Sequence, residues 1–469
     1  MDSSARPGLS LVATLRLGLF QACLGCLAVI FAGMLNRIML SELNFPGLLV
    51  GGSLAFEQFV APARVLFGQV SDAHPIRGRH RVPYVLLGTA LFCAIAVLSV
   101  PLIFQVGRLL VEGNQPQLAL GMAALCGLFA CYGLAISLSS TPYLALVIDR
   151  TTEQERPRAV GIIWCMLTVG IVVGAVLISV SLRSLDGVAD PAAIEPTLRA
   201  FMTRVSLAVF GLTLVATWRM ERPRVSGAAA AAADPEESRE DAVTLRQAWG
   251  LITSSRQVLL FFSFLVLFTL GLFLQDPVLE SYGAQVFGMP IAATAQLNAF
   301  WGIGTLAGLL LAGLWVVPRI GKLPTARLGC RLIALALLFL LLCGLSRSIP
   351  LLQAVMLFFG IAAGIGTNSA LCLMLDLTLP QAAGTFVGVW GLAQALARAL
   401  GKVFGGGLYD LGRLVLPAQS SGYPAFALVL LVELLVALLA LVLLERVNVR
   451  QFREDTGRSL EKVMALELG

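Results

Sequence analysis

The side chains of this chain that could do chemistry are few, and most of them interrupt apolar runs. Glu57, Gln58 and Arg64 lie in one such run, with Glu57 and Arg64 seven residues apart and so on one face of a continuous helix. Gln394, Arg398 and Lys402 follow one another at intervals of four, a single stripe on another helix. Glu433 stands alone in a third run, and Asp276 and Glu280 share a face at the end of a fourth if its helix continues. An ionised group at the centre of a bilayer costs about 2.5–3.5 kcal/mol on insertion scales, so these residues should face protein or a cavity rather than lipid. Two roles stay open for them: polar contacts between helices, or the lining of a binding cavity.

Other chemistry is poorly served. The only two histidines, His74 and His80, lie in one polar loop, so no apolar run offers an imidazole to a magnesium or haem centre. No Walker loop, zincin pattern, Ser-His-Asp set or CxxCH occurs. The nine cysteines lie in or at the ends of apolar runs and read as small hydrophobes; Cys23-x-x-Cys26 has no further ligands near it. We therefore expect no catalytic residue, no metal site and no enzyme activity.

The elements that must position the polar residues are membrane helices. The chain is 58% hydrophobic and only 13% charged, with mean hydropathy +0.87, against roughly 25% charged residues in a soluble domain. A bilayer span needs about 20 apolar residues. Such runs place helices near 15–40, 46–68, 83–104, 118–148, 159–182, 199–218, 257–275, 291–317, 325–346, 351–375, 384–407 and 424–445. The Leu, Ala and Gly content fits helices; a barrel would show alternating segments of about 10 residues. The first run lacks a cleavage site and reads as a retained span.

The second half echoes the first. Leu144, Leu146, Asp149, Thr151, Val160 and Gly161 recur as Leu371, Leu373, Asp376, Thr378, Val387 and Gly388, all offset by 227 residues. This predicts an all-α membrane protein of about twelve spans in two pseudo-symmetric six-helix halves: 1–218, a cytoplasmic linker 219–256, 257–445, and a cytoplasmic tail 446–469. With both termini cytoplasmic, 23 of the 33 Lys and Arg residues fall on the cytoplasmic side and 7 on the other. That asymmetry sets the orientation, and it explains a basic balance without nucleic acid.

Four spans carry a G-x-x-x-G spacing: Gly47/Gly51, Gly170/Gly174, Gly304/Gly308 and Gly401/Gly405, in the second, fifth, eighth and eleventh. Such pairs let helix backbones approach closely, and in the major facilitator architecture these spans join the halves. Between the second and third spans, Gly68-Gln69-Val70-Ser71-Asp72 and then Arg77-Gly78-Arg79-His80-Arg81 resemble the G-x-x-x-D…G-R-x-R loop of that superfamily. Extra residues separate Asp72 from Gly78. The resemblance implies a conformational latch built on Gly68, Asp72, Arg79 and Arg81, with Asp149 and Asp376 at helix ends as caps or pairing partners and Gly313 to Lys322 as the second-half counterpart. Charge-assisted bonds of this kind hold one conformation and release in another.

Four stretches go further: Leu35 to Pro46; Ser71-Asp72-Ala73-His74 leading to Arg81-Val82-Pro83-Tyr84 and Gly88-Thr89; Leu274 to Gly283; and Gly384 to Arg398. Together they resemble the PucC/LhaA, or bacteriochlorophyll delivery, family of the major facilitator superfamily over residues 15 to about 445. Pro277 and Ser281 interrupt the family's acidic segment after Gln275-Asp276.

The resemblance implies an integral membrane assembly factor for light-harvesting complexes. It would handle chlorophyll or bacteriochlorophyll transiently, in a bacterial inner, intracytoplasmic or thylakoid membrane. Antenna subunits, pigment-synthesis proteins and membrane lipid would be its partners. Glu57, Gln58, Arg64, Asp276, Glu280, Gln394, Arg398 and Lys402 would line the cavity, and Glu57, Gln58 or Gln394 could offer a weak oxygen ligand to the pigment magnesium. Two alternatives stand beside this: a proton-coupled transporter of a small amphipathic solute using Glu57, Asp276 or Glu280, and a scaffold that carries nothing. Reporter fusions after Glu236 and after Arg453 should both read cytoplasmic; opposite readings at the two sites would require an odd number of spans between them.

Overall fold

The computed structural model describes residues 10–113, 115–151, 156–185, 191–221, 256–377, 383–416 and 422–448. Most of the expected linker and the tail beyond Asn448 lie outside these residues, as do the side chains of Asp72 and Asp376. The first half comprises α1 (Leu11–Glu42), α2 (Gly47–Phe59), α3 (Ala63–Ala73), α4 (Val82–Glu112), α5 (Gln115–Arg150), α6 (Arg156–Ser181) and α7 (Pro191–Thr217). The second comprises α8 (Arg256–Phe273), α9 (Leu279–Phe287), α10 (Ile291–Ile320), α11 (Lys322–Ser346), α12 (Ile349–Leu377), α13 (Ala383–Val415) and α14 (Tyr423–Arg446).

These helices make twelve membrane crossings, because α2 with α3, and α8 with α9, are single spans broken in the middle. Nine helices among the described residues are long and apolar enough to cross unaided. The two broken spans fail that test through their interruptions, and α13 carries Arg398 and Lys402. Both breaks fall at a proline, Pro62 and Pro277, which lacks an N–H and disfavours helix in the residue before it. The proline at 62 overturns one expectation: Glu57 and Arg64 do not share the face of a continuous helix.

Helix α1 is not regular either. It passes through wider π turns at Val29–Met34 and Ile38–Glu42, a deformation found often at functional sites. Its N-terminal end donates from Arg16 Nη2 to the Trp218 carbonyl at 2.9 Å beyond α7. Likewise Asn448 N donates to Gln257 Oε1 at 3.1 Å at the start of α8. Both described ends of the chain therefore lie on one face of the bundle, here the terminal face; the opposite one is the far face.

The two halves meet along α2 against α13, α6 against α10, and the end of α1 against α9 and α10. The tightest contact is α2 on α13. A Cβ at Gly51 would strike the Lys402 carbonyl, one at Gly406 the Gly47 carbonyl, and one at Gly47 the Gly406 carbonyl. Only glycine allows that approach. The other glycine pairs act elsewhere than expected. Gly170 and Gly174 of α6 lie on Ala22 and Cys26 of α1, while Gly304 and Gly308 of α10 lie on Leu357 and Ile361 of α12. Gly401 and Gly405 face the end of α8 at Phe273 and Leu274. Three of the four pairs thus tighten a half internally, and only Gly47/Gly51 joins the halves. The spacing marks close approach and does not name the partner.

Toward the terminal face, α5 packs on α4, α2 and α3, and α12 on α10 and α11, each within its own half. Near that face Leu144 and Ile148 of α5 are 47% and 50% exposed. The side-chain hydrogen bonds that join the halves gather toward the far end. This is the two-bundle major facilitator fold, with no strands among the described residues.

Candidate functional site

The junction of the halves toward the far face is polar, and it begins at the N-terminus of α2. The first amides of a helix have no partner within it, and here they find one in the other half. Gly47 N and Leu48 N donate to the two oxygens of Asp410 at 2.6 and 2.7 Å. A carboxylate is well placed there, since the helix macrodipole favours negative charge. Beside it, Gln285 accepts from Tyr409 OH at 3.1 Å and donates to Ser41 Oγ at 3.4 Å. Across the α6–α10 seam, Gln296 donates to Ser179 Oγ at 3.1 Å.

Deeper in, α1 reaches the broken eighth–ninth helix pair. Asn36 Nδ2 donates to the Asp276 carbonyl at 3.2 Å, and Arg37 Nη1 donates to Thr294 Oγ1 of α10 at 2.7 Å. Arg37 also pairs with Glu42 at 3.4 Å. It is 5% exposed and holds the halves together.

Asp276 and Glu280 were expected on one helical face, and Pro277 prevents it. Asp276 lies in the turn between α8 and α9, where its N–H bonds to the Phe273 carbonyl at 3.2 Å. Glu280 lies in the first turn of α9, 2% exposed, taking the Asn298 amide at 2.5 Å and abutting Gly33 of the first π turn. Most amides at the break stay paired within its turn, and fully buried Glu433 of α14 adds a further acceptor. It accepts from Leu274 N at 3.1 Å, an amide that also reaches the Leu270 carbonyl at 3.0 Å, and from the Gln275 side-chain amide at 3.0 Å. Glu433 is thus a structural cap on a broken helix.

Below this junction lies the candidate site. Lys402 pairs with Glu57 at 4.0 Å across the α2–α13 seam, with the two side chains 8% and 18% exposed. Gln58 donates to Glu57 Oε1 at 3.5 Å. Arg398, one turn nearer the terminal face, lays its guanidinium 4.6 Å from the Phe273 ring centroid, a cation–π contact. It lies within electrostatic reach of Asp276, Glu57 and Arg64, and its Nε is buried without a hydrogen-bond partner. Phe273 in turn meets Trp301 edge-on at 6.2 Å. Gln394 is half-buried one turn further on. Six of the eight cavity candidates, Glu57, Gln58, Arg64, Asp276, Arg398 and Lys402, thus sit close to one another about the centre, while Glu280 is engaged with Asn298 and Gln394 lies a turn away. Among the described residues no group of His, Cys, Asp and Glu could hold a metal ion.

Of the latch candidates, Gly68, Arg79, Arg81 and Asp149 lie at the terminal face of the first half, and the side chains of Asp72 and Asp376 lie outside the described residues. Arg81 bonds Asp149 at 3.3 Å and Ser71 Oγ at 2.9 Å. Gly68 lies against Thr141 of α5 at 3.5 Å from its ideal Cβ, while Arg79 is exposed. Arg77 and Gly78 both have positive φ, at 53° and 72°, in the tight turn closed by the Ile76–Arg79 pairing. The unforeseen member is Glu221, whose carboxylate receives His80 N, Arg81 N and Val82 N at 2.6–3.0 Å. An isolated acid among Arg219, Arg222 and Arg224 was the available signal. The counterpart expected over Gly313 to Lys322 is not a loop: α10 continues to Ile320 and Gly321 alone turns the chain into α11.

Comparison with known proteins places this geometry. The family model described as PUCC protein matches residues 34–452. The chain belongs to that family. A relative from Rhodobacter capsulatus, called an uncharacterized protein in the puhA-bchM intergenic region, is 31% identical over 87% of this chain and 82% of its own length. Protein PucC of Rhodovulum sulfidophilum is 29% identical over 91% of both chains. A Rhodobacter capsulatus protein named bacteriochlorophyll synthase 44.5 kDa chain is 31% identical over 91% of this chain and 94% of its own.

Solved structures agree on the fold of this PucC-family chain. A bacterial homologue of the human lysosomal transporter Spinster, inward-facing and unoccupied, gives a TM-score of 0.67 at 16% identity, covering 97% of this chain and 99% of that one. A bacterial homologue of the iron transporter ferroportin gives 0.65 at 14% identity when inward-facing, covering 93% of this chain and 99% of that one. The outward-facing form of that homologue gives 0.54 at 14%, covering 92% and 98%.

The cap on the broken span can be tested. Glu433→Leu removes the acceptor of the buried Gln275 amide and one of the two acceptors of Leu274 N, and should lower stability by about 1–3 kcal/mol, read as a lower melting temperature of the detergent-solubilised protein. Glu433→Gln, which keeps an acceptor, should lose less. A leucine variant melting with the parent would remove Glu433 from this role.

Proposed function

We propose that this protein is a membrane assembly factor for light-harvesting complexes, one that binds chlorophyll or bacteriochlorophyll and delivers it to antenna subunits without catalysing a reaction. The observation that carries the proposal is membership of the PUCC family over most of the chain, joined to a transporter fold with a polar centre. Two relatives bear names tied to PucC and to bacteriochlorophyll synthesis. The termini are cytoplasmic in this reading, in keeping with the basic asymmetry, and the membrane is a bacterial inner, intracytoplasmic or thylakoid one.

The physical reasoning follows from the cargo. A chlorophyll is a broad apolar ring that water does not dissolve, so a carrier holds it among helices and releases it within the membrane. The spans contain no histidine, so the ring metal would be met by a weaker oxygen, with Glu57, Gln58 and Gln394 as candidates. Weak ligation suits cargo that must leave. Loading and release fall to the cytoplasmic side, where pigment-synthesis proteins and nascent antenna subunits would dock, and the Arg81–Asp149 pair would take part in the change of conformation.

A second reading draws on Glu280. A buried carboxylate at the junction of α1, α9 and α10 is the kind of group that couples proton binding to rearrangement, which fits a proton-coupled transporter of a small amphipathic solute. Such a transporter requires flux that depends on a pH gradient.

Deleting the gene should lower the amount of assembled light-harvesting complex while pigment synthesis continues. Arg398→Ala should reproduce part of that loss at normal protein abundance. Absorption of membranes and immunodetection of the protein provide the readings. Normal antenna levels in the deletion strain, with no related gene to substitute, would turn attention to the solute transporter.

A further inference from the structure

Arg64, Arg398 and Lys402 bring three cationic side chains into the centre of the bundle, and only two carboxylates stand beside them below the polar junction. Lys402 has Glu57 at 4.0 Å. Arg398 has Asp276 as its foremost electrostatic partner and Arg64 as a repelling neighbour, and Arg64 is left to share Glu57. Glu280 is turned away, engaged with Asn298 and Gly33. By formal charge, three cations against two carboxylates leave one positive charge in excess.

Arg398 is the member best placed to receive an anion. Its guanidinium is fixed over the Phe273 ring and its Nε is buried without a partner among the described residues. A guanidinium presents its donors as a planar fork suited to a carboxylate or a phosphate. An apolar body has somewhere to lie as well, since Phe273 and Trp301 are both half-buried and set edge-to-face. Cations beside aromatic surface suit an amphipathic anion.

We propose that the Arg64–Arg398–Lys402 cluster binds the anionic group of an amphipathic ligand whose flat apolar part lies against Phe273 and Trp301, and that the ligand is a magnesium tetrapyrrole with a free propionate carboxylate rather than its neutral ester. The proposal rests on the pigment reading above and narrows it. An esterified chlorophyll has no charge for these cations to meet, whereas its free-acid precursor carries one carboxylate. A lipid with an anionic head offers the same chemistry and is the competing source.

The test measures binding to the purified full-length protein in lipid nanodiscs, by quenching of tryptophan fluorescence and by shift of the pigment bands. The probes are chlorophyllide a, its methyl ester, and oleoyl-lysophosphatidylglycerol. The free acid should bind at least about tenfold more tightly than the ester, equivalent to about 1.4 kcal/mol. That preference should fall to near unity in Arg398→Gln and return in Arg398→Lys. Arg331→Gln, which alters only an exposed pair with Glu445, should leave it unchanged. If Arg398→Gln does not fold, Arg64→Gln should show the same loss.

Equal binding of acid and ester by the parent protein overturns the anion site and leaves the pigment reading standing. Binding of the lysolipid alone, dependent on Arg398, keeps the anion site and overturns the tetrapyrrole as its occupant. No binding of any probe overturns both.

Discussion

The arrangement depends on one contact between distant parts of the chain, where the Asp410 carboxylate closes the amide end of α2. The first amides of a helix have no partner within it, and the carboxylate supplies one for both. The carboxylate comes from the opposite half, so satisfying the helix and joining the halves are one event. The glycine seam below it permits the approach, since any Cβ at Gly47, Gly51 or Gly406 would meet backbone. Asn36, Arg37 and Gln296 then add polar bonds across the same end.

Broken helices are the second recurring device. A proline at 62 and another at 277 divide two spans, and turns within each break re-pair most of the backbone. At the second break the buried Glu433 adds an acceptor from another helix. A charged residue in the middle of an apolar span thus has a structural reason to be there, distinct from binding. Glu57, Arg398 and Lys402 have no such backbone duty. Their cost is met by one another and by Phe273, and on that difference the functional reading rests.

The spans were legible in the sequence because a bilayer demands long apolar runs, and every expected helix is present within a few residues of its place. The breaks were less so, although Pro62 and Pro277 stood in plain view. A run of apolar residues reads as one helix unless the missing N–H of proline is weighed against it. Glycine spacing located close approaches but not partners, since Gly170/Gly174 and Gly304/Gly308 turned out to serve packing within a half. Pairings separated by hundreds of residues, such as Asp410 with Gly47 or Asn36 with Asp276, leave no local trace. Arg37 is the clearest case: in sequence it is one basic residue after an apolar run, and in the fold it is a buried clasp on Thr294. The central cluster lay between these extremes. Its charges were conspicuous within their spans, but that helices as distant as α2, α8 and α13 bring them together follows only from the fold.

The account joins a transporter fold to a cargo that dissolves in the bilayer. A bundle joined by polar bonds toward the far face, with cations and aromatic rings at its centre and no histidine in its spans, would hold a pigment loosely and give it up on the side where antenna subunits are assembled. The most direct measurement is an absorption spectrum of the protein, purified in mild detergent from pigment-producing cells and freed of antenna complexes. The account predicts chlorophyll or bacteriochlorophyll bands that co-elute with the protein and weaken in Arg398→Ala at equal protein content. A pigment-free spectrum from folded protein, obtained while the same cells are making pigment, would contradict it.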